Sequence, residues 1–295
     1  MGRYDCFLNT DVVSHDRNAE LTIILRIFFQ QGSGTVSDIT GITRQARPWP
    51  SSEWQGFKRR ITTESMRLWN GKFWLIPPSN TTMFTWTGGS RVSALMRQYD
   101  PIRSMSQTIL GNSDVDDVVP QSGSAIQTNI YCKFRIEETD TASNAHLTLR
   151  GDYLGRRTDG FYTNSVGDGQ GIFQSGVLNE YTFPGQHRHS TVRQRQYLHE
   201  IGHAIGQRHV GFVVSDSTCS EVNPASGTHN QCYVGRTWED ENNVMGSGTR
   251  LREENAISWV HALSHITHID SSQFRVRRQR VFPTRVGTIA PSITY

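Results

Sequence analysis

Lysine is nearly absent from this 295-residue chain. Lys58, Lys72 and Lys133 are the three, and arginine supplies the other 27 of the 30 basic residues. Against 27 acidic residues the net charge is +3, too small for the basic face of a nucleic-acid binder. The arginine bias has two readings, a GC-rich genome or a surface suited to a foreign cytosol. Long apolar runs are missing too. Leu21–Phe29 is too short to span a bilayer and has Arg26 at its centre, so no membrane span is expected. The start, Met1 to Cys6, lacks a basic stretch followed by an apolar one, and Cys6 stands where a myristoylated Gly2 would want Ser or Thr. The expectation is export by a route the N-terminus does not encode, with a cytoplasmic protein or a removed leader as alternatives. Cysteine is scarce: Cys6, Cys132, Cys219 and Cys232, with no CxxC spacing, which argues against a Cys-based zinc site. Cys132 lies in an apolar pattern and reads as a core thiol. Cys219 and Cys232 flank a Gly/Asn/Ser-rich loop and are either a disulfide or two free thiols.

What is present fits a loop-rich globular chain of one or two domains. Charged residues at 19%, hydrophobic residues at 35% and 26 glycines exclude collagen, coiled coil and wholesale disorder. Leu21, Ile23, Leu25, Ile27 and Phe29 alternate, which predicts a buried strand over 21–29. Residues 31–50 read as loop. Ser52 with Gln55 is a capping-box signal. Trp54, Phe57, Ile61, Leu68 and Trp69 then recur at helical spacing until Asn70-Gly71, so a helix is expected over 52–69. Phe73–Ile76, closed by Pro77-Pro78, reads as a strand. Ile130, Cys132, Phe134 and Ile136 alternate in another. Shorter strands are expected at His146–Leu149 and within 172–183. Asp114, Asp116 and Asp117 form an acidic cluster without the spacing of a calcium loop, and read as a solvated turn.

The informative stretch is 199–209, His-Glu-Ile-Gly-His-Ala-Ile-Gly-Gln-Arg-His. It is HExxH extended to HExxHxxGxxH. Five fixed positions arise by chance in about one chain of this length in ten thousand. His199 and His203, four apart on a helix, project from one face and can grip one ion. Neutral imidazole nitrogens suit Zn²⁺. Glu200 follows the first ligand, where its carboxylate can reach a zinc-bound water. Gly206 can take a positive φ, end the helix and turn the chain, which brings His209 back as a third ligand. Three ligands leave a fourth position for water, the mark of a catalytic site. Ser190 or Thr191 is the expected cap of this helix. His261, His265 and His268 share a face of a later helix over 252–266 and read as margin residues of a packing face. The Arg-rich stretch 274–285 reads as a solvated tail, with an acidic surface or a carrier as the alternative.

Downstream, Asn242-Asn-Val-Met-Gly-Ser-Gly-Thr249 is turn-prone. With the long histidine motif it resembles the Met-turn of the metzincin clan of zinc endopeptidases. The motif match covers 199–209 and 242–249; the order of the other elements agrees more loosely. The resemblance implies an α/β fold (in the α+β sense): a twisted, mostly parallel sheet, a backing helix, an antiparallel edge strand within 145–178, a zinc helix over 191–205, the Met-turn and a C-terminal helix. It implies a catalytic domain over 18–270, with flanks at 1–17 and 271–295. It also implies His199, His203 and His209 as Zn²⁺ ligands, Glu200 as general base and Met245 as the floor of the site. Ser247, not Tyr, stands two residues after Met245, so no tyrosine ligand of the astacin kind is implied. The expected activity is zinc-dependent peptide-bond hydrolysis by a monomer acting on a protein or peptide, in a toxin or effector handled by a delivery machine. A cell-wall peptide crosslink hydrolase and a zinc-stabilised binding module are the alternatives.

Overall fold

Alternation at 21–29 places five apolar side chains on one face, and that face is buried: Leu21, Ile23, Leu25, Ile27 and Phe29 all lie in the core. They belong to the longest strand of a computed structural model, which describes residues 4–9, 19–37, 42–78, 81–82, 95–99, 121–122, 130–154, 165–167, 169–175, 180–187, 191–211 and 229–278. The strands are β1 (Tyr4–Asn9), β2 (Ala19–Gln31), β3 (Gly34–Ser37), β4 (Thr43–Ala46), β5 (Phe73–Ile76), β6 (Thr81–Thr82), β7 (Leu95–Tyr99), β8 (Gln121–Ser122), β9 (Ile130–Glu138), β10 (Leu147–Asp152), β11 (Ser165–Gly167), β12 (Gln170–Gln174), β13 (Tyr181–Pro184), β14 (Thr191–Gln194) and β15 (Arg275–Arg277). Helix α1 is Ser51–Trp69 and α2 is Gln196–Ala204. Shorter helices lie at His229–Val234 and Trp238–Glu241, and another at Ile257–Thr267. The chain is mixed α/β and divides into two compact units, the first drawn from 26–68 and 137–251, the second from 3–25, 69–136 and 252–295.

The first unit is built on the strand order β11-β12-β10-β2. Its middle strands are parallel, with Leu147 opposite Ile27 and Leu149 opposite Gly171. The margin strand β11 runs antiparallel to β12, with Val166 opposite Gly171. Helix α1 covers this sheet because its apolar residues repeat every three to four positions. Trp54 and Phe57 stack at 5.5 Å, and Trp49 meets both at 5.3 and 4.8 Å. The helix approaches so closely that a Cβ on Gly151 would stand 2.7 Å from the Trp54 ring. The segment 31–50 is not plain loop. It holds the hairpin of β3 and β4, whose Val36 and Ala46 form a small core of their own. One buried side chain per strand is too weak a pattern to show as alternation.

In the second unit the order is β2-β9-β5-β15, with β1 pairing β2 and β7 pairing β1. The pairs β1–β2, β1–β7, β5–β9 and β5–β15 are antiparallel, so the sheet is parallel at its centre and mixed beyond it. Trp259 packs on Trp69 and Phe73 and donates from Nε1 to the Lys133 carbonyl at 2.8 Å. Cys6 and Cys132 are buried here and not disulfide-bonded, and burial pushes the Cys132 thiol well up. The C-terminal helix begins as a 3-10 turn at Glu253–Ala256 and ends at His268, whose φ is 57°. Burial lowers the pKa of His261 on this helix. Among the described residues the one cluster able to hold a metal ion does not include His261, His265 or His268. No helix among the described residues is long and apolar enough to cross a membrane. Asp114, Asp116, Asp117 and the run 279–285 lie outside the described residues.

Candidate metal centre

The start of the metal-site helix differs from the sequence expectation. Thr191–Gln194 form β14, antiparallel to β13, with Val192 opposite Phe183. Ser190 lies outside the described residues. Helix α2 therefore begins at Gln196, with Arg195 as an N-cap that makes no side-chain capping bond. Thr191 and Val192 are β-branched, and pairing with a neighbouring strand overrides a cap signal that Ser and Thr supply wherever they occur.

Nine residues are too few to hold a helix in isolation, and α2 is fixed at both ends. At its start the Tyr197 hydroxyl donates to Glu64 of α1. Arg195 donates from Nη1 to the same carboxylate at 2.7 Å and from Nε to Glu180 at 3.3 Å. Arg60 donates to Glu64 at 2.9 Å. Burial would raise the Glu64 carboxyl, but the Tyr197 hydrogen bond and the Arg60 and Arg195 charges outweigh it and hold the pKa below the usual carboxylate range. Burial and the Glu64 bond push Tyr197 up to about 12.

At its end the helix closes in a Schellman arrangement. The Gln207 N–H donates to the Gly202 carbonyl and the Gly206 N–H to the His203 carbonyl, both at 2.9 Å. Gly206 has φ 88°, the left-handed region that a side chain would strain. The chain then reverses and returns His209. The three ring nitrogens meet: Nε2 of His199, His203 and His209 lie 3.1, 3.1 and 3.2 Å apart. His199 and His209 are buried and His203 is half-buried. Two of the opposite nitrogens are committed to main-chain acceptors. Nδ1 of His199 donates to the Val244 carbonyl at 2.7 Å, and Nδ1 of His203 to the Gln207 carbonyl at 2.8 Å. With the proton on Nδ1, the lone pair of Nε2 points inward. Burial, then the two neighbouring imidazoles, push His199 well below the usual histidine range, against the opposing backbone bonds to Val244 and Gly246. Burial keeps His199 neutral, and the three-histidine arrangement can hold a metal ion.

The segment around Met245 is tied to the histidines by main-chain hydrogen bonds. Met245 is buried, and its carbonyl accepts from the Val210 N–H at 3.0 Å, directly after the third histidine. Its own N–H donates to the Asn243 side chain at 2.9 Å. Thus the turn holds His199 through Val244 and His209 through Val210. Gly246 must be glycine here, since a Cβ would stand 2.5 Å from the Asp240 carbonyl oxygen and 2.7 Å from that of Tyr233. Glu241, buried just upstream, accepts from the main-chain N–H groups of Gln186 and His187 at 2.7 and 3.1 Å. Glu200 sits half-buried on α2 beside His199. The margin strand β11 lies beside α2.

Two residues complete the picture. Cys232 is buried and disulfide-bonded; Cys219 lies outside the described residues. Tyr233, which sequence reasoning missed, rests against His199 and His209, with ring centroids 5.6 and 4.2 Å away. No periodicity or motif marks it, because its neighbours come from 24 and 34 residues upstream by number. No family model, curated protein or solved structure matches this chain.

Proposed function

We propose that this protein is a zinc-dependent endopeptidase, with His199, His203 and His209 as metal ligands and Glu200 as general base. The observation that carries the reading is the convergence of three Nε2 atoms on one point, while the Nδ1 atoms of His199 and His203 are tied to carbonyls and so turn their Nε2 lone pairs inward. The Nε2 acceptors of His199 and His203, 3.1 Å apart, repel one another unless a cation or a proton lies between them. For a tetrahedral zinc with Zn–N near 2.0–2.1 Å, two nitrogens stand about 3.3–3.4 Å apart, so the donor set fits zinc. The extended histidine motif and the Met245 turn, similar to those of metzincins, support the same choice.

Zinc held there would supply Lewis-acid polarisation of the scissile carbonyl and the attacking water. The protein's own groups do the rest. Glu200, one residue beyond His199 on α2, takes the proton of the attacking water and passes it to the leaving amine. The main chain of β11, antiparallel at the margin of its sheet and beside α2, offers an edge on which an extended peptide can pair backbone to backbone.

The test compares wild type with Glu200→Ala on a proteome-derived peptide library, with and without a chelator, reading new termini by mass spectrometry. The wild type is expected to cleave in a chelator-sensitive manner. The variant is expected to bind metal normally and to lose at least about a hundredfold in rate. Cleavage by Glu200→Ala at the wild-type rate, or none by a metal-loaded wild type, overturns the reading.

A further inference from the structure

The helix His229–Val234 lies outside the 199–209 motif, yet it puts an aromatic ring against two of its histidines. Tyr233 is nearly parallel to His199, with an interplanar angle of 21° at 5.6 Å, and tilted by 52° over His209 at 4.2 Å. The 5.6 Å separation from His199 falls in the range of offset aromatic pairs, and the 4.2 Å contact with His209 is closer still. The ring is also held in place. Cys232 beside it is buried in a disulfide. The carbonyl of Val234 after it accepts from His187 Nε2 at 3.2 Å. The Tyr233 carbonyl lies where Gly246 leaves room for it.

We infer that Tyr233 is a positioning residue of the metal centre: its ring braces His199 and His209 and favours the metal-bound state over the metal-free one. This rests on the metal site of the proposed function. The physical reason is a difference between states. An imidazole that gives its lone pair to a cation becomes electron-poor, and the negative face of an aromatic ring attracts it more strongly than it attracts the free imidazole. Carbonyl acceptors on Nδ1 already fix His199 and His203. The Tyr233 ring adds a contact that His199 and His209 share, and so sets the angle between the first ligand and the last.

The test measures zinc affinity by competition with a chromophoric chelator in wild type, Tyr233→Phe and Tyr233→Leu. Neighbours that orient metal ligands change affinity by about 10–100-fold when lost. Tyr233→Leu is expected to bind zinc about tenfold more weakly, with a shifted absorption spectrum for the cobalt-loaded site and a metal-free melting curve like wild type. Tyr233→Phe keeps the ring and is expected to bind within about twofold of wild type. Equal affinity and an equal cobalt spectrum in Tyr233→Leu overturn the inference. A second measurement needs only the conservative variant. Metal binding should produce a near-ultraviolet tyrosine difference signal in wild type that Tyr233→Phe lacks; an identical signal in both overturns it. A wild type that binds no metal overturns the proposed function instead, and this inference with it.

Discussion

His199 shows how much one buried side chain can constrain. It is 3% exposed, donates through Nδ1 to Val244 and faces two other imidazoles. Burial and those neighbours push its pKa well below the ordinary 6.5. Below that pH the unfolded chain binds a proton at this position that the folded chain refuses. Stability of the metal-free protein is therefore full above about pH 6.5 and falls as the pH drops. Urea midpoints of metal-free wild type are expected to decline between about pH 7 and pH 5 more steeply than those of His199→Asn. Parallel declines would contradict the assignment. The clustering of His199, His203 and His209 and the positive φ of Gly206 were legible in the sequence because both follow from local spacing. Tyr233 was not, because what it touches is set by the folding of segments far apart in the chain.

At the scale of elements, α2 depends on its neighbours. It is nine residues long and has no side-chain cap, so Glu64 and the groups around it substitute for helical stability of its own. Hydrogen bonds to a charged group contribute about 1.5–3 kcal/mol. Glu64→Gln is expected to lower unfolding free energy by about 1–3 kcal/mol. Tyr197→Phe combined with it should cost less than the sum of the two single changes, since both remove one contact. Strict additivity in denaturant melts would show that the contact carries no coupling. The elements the sequence shows best are those with strong periodicity: α1 starts at Ser51 and ends at Trp69, and β5 spans 73–76 as expected. Those it shows poorly owe their form to partners. The β3–β4 hairpin buries two apolar residues, and β14 is a strand because β13 lies beside it. Strand direction is likewise invisible in a single strand's pattern. The expectation of a mostly parallel sheet holds for β12-β10-β2 and gives way to antiparallel pairs beyond them.

For the molecule as a whole, the proposed metal centre would contribute stability as well as chemistry. The three histidines come from one compact unit, within 137–251, and lie on two sides of the chain reversal at Gly206. A ligand bound only by the folded chain adds about 2.7 kcal/mol when its free concentration is 100 times its dissociation constant. Zinc in that excess is expected to raise the melting temperature by several degrees, at about 2–4 °C per kcal/mol for a unit of 150–250 residues. A chelator should reverse the shift. A melting temperature indifferent to both would mean that the folded state does not hold the ion.

The most direct measurement is metal content per folded chain, by native mass spectrometry, for wild type and His203→Ala. The account predicts one zinc in the wild type and none retained in the variant, whose remaining two histidines cannot complete the site. A wild type without metal, or a variant that keeps one tightly bound zinc, would contradict it.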